Sequence, residues 1–209
     1  MAIKGASKGR QKDPQKREAI IQAAQQLFMA NGFDHVSMQA IAQEAGVSKV
    51  TVYSHFKDKE DLFKAIVIAV AESYPVAKPP DLTASTDFPV ALETHGLRLY
   101  KILSSAIVHS VHRMLMANPD QMKKLAVIVY DNGPHKTLMD LADLLERGKE
   151  LGYHSAPDCI RAADQLFSMW KGMAYLRQEF GIEKPITQAK ALENIRSGIE
   201  MLLRAYPAH

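Results

Sequence analysis

The sequence predicts an all-α fold for this chain of 209 residues. Apolar residues recur at steps of three and four along most of its length, which is the spacing of one buried helix face. Pro and Gly separate those periodic segments, and Asp or Ser stands where several of them begin, as helix starts and stops require. No stretch shows the strict alternation of apolar and polar residues that is typical of a half-buried strand.

Composition favours a soluble globular protein in a reducing compartment. Hydrophobic residues make up 47% and charged residues 23%, so the chain can bury a core. Cys159 is the single cysteine, which excludes an intramolecular disulfide. The basic N-terminus is not followed by the apolar segment of a secretory signal, and the apolar run at 65–71 is far shorter than the roughly 20 residues of a membrane span. We therefore expect a cytoplasmic protein that does not associate with membranes.

Changes in composition divide the chain into an arm and two domains. Residues 1–12 contain four basic residues and no acidic one, which predicts a flexible basic arm that is either solvated or in contact with phosphate. A stretch rich in Pro, Ser and Thr at 73–89 indicates a domain boundary. The sequence therefore predicts one helical domain at 13–74 and a second at 87–209.

Two short helices of the first domain flank a glycine. The expected N-caps of its helices are Asp13, Ser37, Ser48 and Asp58. Gly46 ends the second helix, because glycine adopts the left-handed conformation without a Cβ clash, and the third helix follows at once. Such a pair of helices with a Gly-containing turn forms a helix-turn-helix.

The third helix has an apolar inner face and a polar outer face. Val52 and Phe56, four residues apart, are expected to face inward. The outer residues include small side chains that permit close approach, hydroxyls and an amine that suit phosphates, and ring edges that suit bases. Because the first residues of a recognition helix point at base edges, the pattern predicts binding in the major groove of double-stranded DNA.

The stretch SMQAIAQEAGVSKVTVYSHFKDKEDLF, residues 37–63, resembles the DNA-binding motif of the TetR (tetracycline-repressor-like) family of bacterial regulators. The residues EAIIQAAQQLFMANGFDHVSM before it resemble the first helix and the Gly-Phe turn of that family. The strong resemblance covers residues 16–64, and the remainder agrees in helical layout. It implies an N-terminal three-helix helix-turn-helix domain and a larger helical domain for ligand binding and dimerisation.

The resemblance also implies which residues contact DNA. These residues are Ser37, Gln39, Ser48, Lys49, Val50, Thr51, Tyr53, Ser54, His55 and Lys59. Lys49, Val50 and Thr51 would lie in the major groove, and Lys59 would bind phosphate. Val50 and Ser54 depart from the commonest family pattern, which has a smaller residue or Pro at the first position and a large ring at the second. Taken alone, Tyr53 and Lys59 are explained equally well as a packing residue and a solvated charge.

The second domain contains no catalytic motif: no Gly-rich phosphate loop and no Ser nucleophile elbow is present. His109 and His112 are three residues apart on a predicted helix, but no third metal ligand is placed by the sequence, so we expect no metal and no cofactor. Methionines and aromatic rings suit an adaptable apolar pocket, although core packing explains any one of them. By the resemblance, our candidates for small-molecule binding are Tyr100, Met114, Tyr130, Trp170 and Met173.

The last two predicted helices, at 157–180 and 185–206, carry long apolar stripes. One molecule can bury both stripes, whereas the resemblance implies a homodimer interface formed by these helices. One helix-turn-helix makes a small contact for tight specific binding, which favours the dimer, and two-fold symmetry predicts a palindromic operator.

We therefore expect a dimeric transcriptional repressor that a small apolar ligand releases from its operator. Two alternatives remain open. A DNA-binding protein without a ligand would have a closed second domain. A small all-α enzyme would need a cluster of acids or a metal site, and the sequence shows neither.

Overall fold

Helices form 77% of the structure, a computed structural model that describes residues 13–73, 82, 87–117, 119 and 122–208. The all-α prediction is confirmed, and the predicted basic arm at 1–12 lies outside these residues. The ten helices within them are α1 (Pro14–Asn31), α2 (Met38–Glu44), α3 (Lys49–His55), α4 (Lys59–Glu72), α5 (Phe88–Leu103), α6 (Ala106–Ala117), α7 (Lys123–Asn132), α8 (Pro134–Glu150), α9 (Cys159–Glu179) and α10 (Gln188–Ala205). None of the helices in this part of the chain is long and apolar enough to cross a bilayer.

The chain divides into two compact units, and the boundary between them along the sequence falls between Ile66 and Val67 of α4. The predicted domain limits, 13–74 and 87–209, stay a prediction.

Capping follows the sequence in the first unit: Ser37 and Ser48 each accept a hydrogen bond from the backbone N–H three residues later, at 3.1 Å. Asp58 does the same for Asp61 at 2.8 Å. These side chains satisfy donors that the start of a helix leaves free.

The core of the first unit is built from α1 to α4 around three phenylalanine rings. Phe28, Phe33 and Phe63 have ring centroids 5.1–6.3 Å apart. Val52 and Phe56 of α3 are buried, as the sequence predicts. Burial of each such side chain stabilises the fold by roughly 1.5–3 kcal/mol relative to exposure. The inner face of α3 is thereby fixed, which leaves its opposite face for function.

The second unit is centred on α5, α8, α9 and α10. Leu92, Leu141, Leu145, Leu166 and Ile195 are among its fully buried side chains. The two apolar stripes assigned to a dimer interface have ten residues, and half of them belong to this core. The stripes comprise Ile160, Ala163, Phe167, Trp170 and Ala174 on one helix and Leu192, Ile195, Ile199, Leu202 and Tyr206 on the other. The stripe residues buried within the chain are Ala163, Trp170, Ile195, Ile199 and Leu202. One chain therefore buries these residues itself, and they no longer argue for a dimer.

Helix α9 is broken at Gly172, whereas the sequence predicts an uninterrupted helix at 157–180. Gly172 has φ 53° and ψ −174°, which lies outside the helical region and close to a conformation that only glycine adopts readily. The segment beyond the break exposes a row of apolar side chains, with Met173 66%, Leu176 40% and Phe180 70% accessible. The break thus separates a well-buried first half of α9 from a loosely packed end.

Candidate nucleic-acid interface

The turn between α2 and α3 fixes the direction of α3. Gly46 has φ 64°. Its N–H donates to the carbonyl of Gln43 at 3.1 Å, and the N–H of Val47 donates to the carbonyl of Ala42 at 2.9 Å. These two bonds form a Schellman motif, the glycine-dependent end of a helix. The predicted helix-turn-helix is therefore present, with its glycine in the predicted conformation.

The outer face of α3 is accessible along its length. Val50 is 79% and Tyr53 49% exposed, and Lys49 and Ser54 are exposed beside them. The ammonium of Lys49 lies 6.0 Å from the ring centroid of Tyr53, within reach of a cation–π attraction. Thr51 and His55 are half-buried at the edge of this face. The structure thus brings most of the predicted DNA-binding residues together on one helix.

Hydroxyl groups on α3 are already engaged within the helix. Ser48 Oγ lies 2.8 Å from Thr51 Oγ1, and Ser54 Oγ donates to the carbonyl of Thr51 at 2.6 Å. A serine hydroxyl has one proton, so Ser54 in this rotamer keeps only acceptor capacity. It can accept from a base amino group, whereas a bond to phosphate, which has only acceptors, requires a different rotamer.

Ser37 and Gln39 are exposed at the start of α2, where Ser37 is also the N-cap. Their predicted DNA contacts stay a prediction.

Lys59 has partners within the protein. Its ammonium donates to the carbonyl of Phe33 at 2.8 Å and lies 3.4 Å from the carbonyl of Asp34. It also stands 4.5 Å from the ring centroid of Phe33. The side chain therefore ties the start of α4 to the turn between α1 and α2. Phosphate binding by Lys59 stays a prediction, and the geometry gives this residue a second role.

Arg17 is a further candidate for contact with a DNA phosphate, and it is not among the residues predicted from the sequence. Its guanidinium lies 5.4 Å from the ring centroid of Phe56, next to the end of α3, and the residue is exposed. An arginine held over a ring keeps donors available for a phosphate. No local pattern connects residues 39 positions apart, so a single sequence carries no signal for this pairing.

Comparison with known proteins places these features in a family. Residues 20–66 match the model described as bacterial regulatory proteins of the tetR family, and residues 90–208 match the AefR-like transcriptional repressor C-terminal domain. The chain belongs to the TetR family. The resemblance of residues 37–63 is thus confirmed, and the chain is a DNA-binding regulator of transcription by family.

Similar structures cover almost the whole chain. A TetR-family regulator from Mesorhizobium loti is 29% identical, with a TM-score of 0.77, over 92% of this chain and 97% of that one. The flavonoid-responsive regulator FrrA is 30% identical, with a TM-score of 0.76, over 93% of this chain and 98% of FrrA.

Curated relatives match in a shorter region. The repressor BepR of Brucella suis is 43% identical over 51 residues, 24% of each chain. AcrR of Shigella flexneri is 41% identical over 61 residues, 29% of this chain and 28% of AcrR. The alignments span about a quarter of the length of these relatives.

The TetR-family second unit contains a small cavity between α5, α9, α10 and the segment before α10. Tyr100 and Trp170, two of the five predicted ligand-binding residues, line it. Its volume is about 30 Å³, which is room for about two water molecules. Met114, Tyr130 and Met173 are not part of its lining, and Tyr130 and Met173 are largely exposed. Ligand binding by these three residues stays a prediction.

A polar cluster joins α6 to the end of α9 beside this cavity. Glu179 pairs with Nδ1 of His109 and lies 3.3 Å from Nδ1 of His112. The hydroxyl of Tyr175 is 2.8 Å from the same nitrogen of His112. Burial lowers the pKa of His112 and raises that of Tyr175, so both groups favour their neutral forms.

The histidine pair of α6 and the single cysteine have structural roles in the second unit. His109 and His112 bind Glu179, and in the described part of the chain no group of His, Cys, Asp and Glu is arranged to hold a metal ion. Cys159 is buried, and burial raises the pKa of its thiol to about 11. The thiol is therefore protonated near neutral pH, as suits a packing residue.

Proposed function

We propose that this TetR-family chain is a homodimeric repressor that binds a palindromic operator and leaves it when a small, largely apolar ligand binds the second unit. The observation that carries the proposal is the outer face of α3, where Val50 is 79% exposed at the start of a helix that the Gly46 turn holds in place. A bare aliphatic side chain at this position suits contact with a thymine methyl group.

Cationic and hydroxyl-bearing side chains around Val50 supply the remaining contacts. Lys49 and Tyr53 have donors that suit phosphate, and Arg17 adds a second cation near the end of α3. A single helix reads few base pairs, so we propose that two copies bind together, with α9 and α10 contributing the subunit interface. Ile160 and Met201 are exposed apolar residues on these helices that such an interface would bury.

The ligand response is supported by the aromatic side chains that line the cavity and by one relative. The solved relative FrrA is described as flavonoid-responsive, and we propose a similar aromatic effector for this chain. In one state of the dimer the spacing of the two recognition helices fits the operator, and in the other it does not. The ligand binds more tightly to the second state, because only such a difference in affinity shifts the equilibrium between the two. We propose that the shift runs from α6 to α4, since α4 contributes residues to both units.

Selection of bound sequences from random double-stranded DNA tests the proposal. We expect a palindromic consensus, bound by two chains and released by an aromatic ligand. The variant Tyr53→Ala should bind the selected DNA more weakly, whereas Lys64→Ala, on an exposed part of α4, serves as the matched control. Failure to enrich any duplex at low ionic strength would contradict the proposal.

A second candidate is a TetR-family DNA-binding protein without an effector. The cavity of about 30 Å³ favours it, because ligand pockets usually have volumes of about 300–1,000 Å³. Calorimetry separates the two candidates: the second predicts no saturable heat with aromatic compounds and unchanged DNA binding in their presence.

A further inference from the structure

The cavity in the second unit has one fixed side. Trp170 donates its indole N–H to the carbonyl of Ile195 at 3.1 Å, which ties the first half of α9 to α10. Tyr100 donates its hydroxyl to the carbonyl of Ile186 at 2.5 Å, which ties α5 to the segment before α10. Leu99 and Leu103 complete an apolar and aromatic wall. This half of the cavity suits the flat face of an aromatic ring.

The opposite side is held less firmly. Beyond the break at Gly172, Tyr175 is buried, whereas Met173 and Leu176 are exposed. The polar contacts of Tyr175 and Glu179 with His109 and His112 attach this segment to α6. A short segment with few buried apolar contacts is the part of a fold that moves at the lowest free-energy cost. We therefore expect displacement of residues 173–179 to be the change that enlarges the cavity.

The lining also includes a cation next to this movable side. Lys171 lines the cavity and places its ammonium 4.5 Å from the ring centroid of Tyr175. Among the described residues, no carboxylate lies within ion-pair distance of Lys171. An ammonium in a mainly apolar and aromatic cavity attracts an oxygen that carries negative charge or loses a proton easily.

We propose that Lys171 and Tyr175 hold an acidic ring hydroxyl of the effector in this cavity, and that residues 173–179 move about Gly172 to admit it. The ring lies against Trp170, and the effector oxygen replaces His112 as the partner of Tyr175. One of the contacts that join α9 to α6 is then lost, and those of Glu179 with His109 and His112 remain. The inference rests on the proposed ligand response and names the chemical class of the ligand: an aromatic compound with a phenolic hydroxyl.

Trp170 is the single tryptophan of the chain, so its fluorescence reports ligand binding in the cavity without DNA. The probes are 7-hydroxyflavone and its methyl ether, 7-methoxyflavone, which share the ring system but differ in the acidic proton. We expect saturable quenching by the hydroxyl compound and about tenfold weaker binding of the ether, from the loss of one charge-assisted hydrogen bond. Equal binding of the two compounds, or binding of neither, overturns the proposal.

Substitutions at Lys171 test the assigned cation. Lys171→Met should remove the preference for the hydroxyl compound, Lys171→Arg should keep it, and Lys190→Met, at an exposed ion pair with Glu193, should leave it unchanged. Circular dichroism confirms that each variant is folded. A Lys171→Met protein that still prefers the hydroxyl compound overturns the proposal. Because this assay contains no DNA, its result is independent of whether operator binding and release occur.

Discussion

Replacing Lys59 with methionine separates two roles for this side chain. Methionine keeps an apolar stem near Phe33 but removes the ammonium that donates to the Phe33 carbonyl at 2.8 Å. A hydrogen bond with a charged donor contributes about 1.5–3 kcal/mol and an exposed cation–π contact about 0.5–1 kcal/mol. Lys59 is half-buried, so water replaces part of the lost bonding. We therefore expect the free energy of unfolding to fall by about 1–2 kcal/mol.

Urea denaturation followed by circular dichroism measures this loss, with Lys64→Met on the exposed face of the same helix as the control. The salt dependence of DNA binding tests the other role, which is the predicted contact of Lys59 with a DNA phosphate. Loss of a phosphate contact lowers the slope of log K against log salt by about 0.9, whereas loss of an internal contact lowers affinity without changing the slope. Phosphate binding by Lys59 predicts a slope lower by about 0.9 in the methionine variant, and an unchanged slope would contradict that contact and leave the internal role alone. Stability within about 0.3 kcal/mol of the control would refute the reasoning.

Three further predictions follow from α9, α3 and the buried histidines. Gly172→Ala should lower the free energy of unfolding by about 1–3 kcal/mol, because an alanine side chain is strained at a φ of 53°. Urea denaturation measures the change. A gain of about 1 kcal/mol, which is the effect of this substitution in a regular helix, would show that α9 is not broken at Gly172. Val50→Ala should weaken operator binding by about 1 kcal/mol at one thymine, and replacement of that thymine by uracil should abolish the difference between the two proteins. Burial lowers the pKa of His95, His112 and His154, so below about pH 6.5 the unfolded chain binds protons that the folded chain does not. The free energy of unfolding should therefore decrease as the pH is lowered, by at most about 1.4 kcal/mol per pH unit for each histidine. Denaturation followed by Trp170 fluorescence measures this change, and a free energy of unfolding that stays constant between pH 7.5 and 5.5 would contradict the prediction.

Local chemistry determines the part of the fold that the sequence predicts well. Ser37 and Ser48 cap the helices expected of them, and Gly46 ends α2 in the left-handed conformation. Val52 and Phe56 face inward because their spacing of four matches one helical turn. Each of these features depends on residues within a few positions of one another, so a single sequence contains the information.

Features that depend on distant residues were not predictable. Lys59 bonds to carbonyls 25 and 26 positions away, and no local pattern indicates that partner. Gly172 lies in an apolar-periodic run, where a helix tolerates glycine, so the break had no distinct signal. The prediction that Tyr130 and Met173 bind a ligand depends on residue type, and the structure leaves both side chains largely exposed. Residue type alone does not fix which way a side chain faces.

The exposed methyl groups of Val50 have a consequence for chemically modified DNA. Thymine and 5-methylcytosine carry the same C5 methyl in the major groove, so an aliphatic contact at this position accepts either base. Enzymatic methylation of a cytosine at that step would then create a site that the unmodified sequence lacks. Recognition by this helix would in that way depend on the methylation state of the genome as well as on its base sequence.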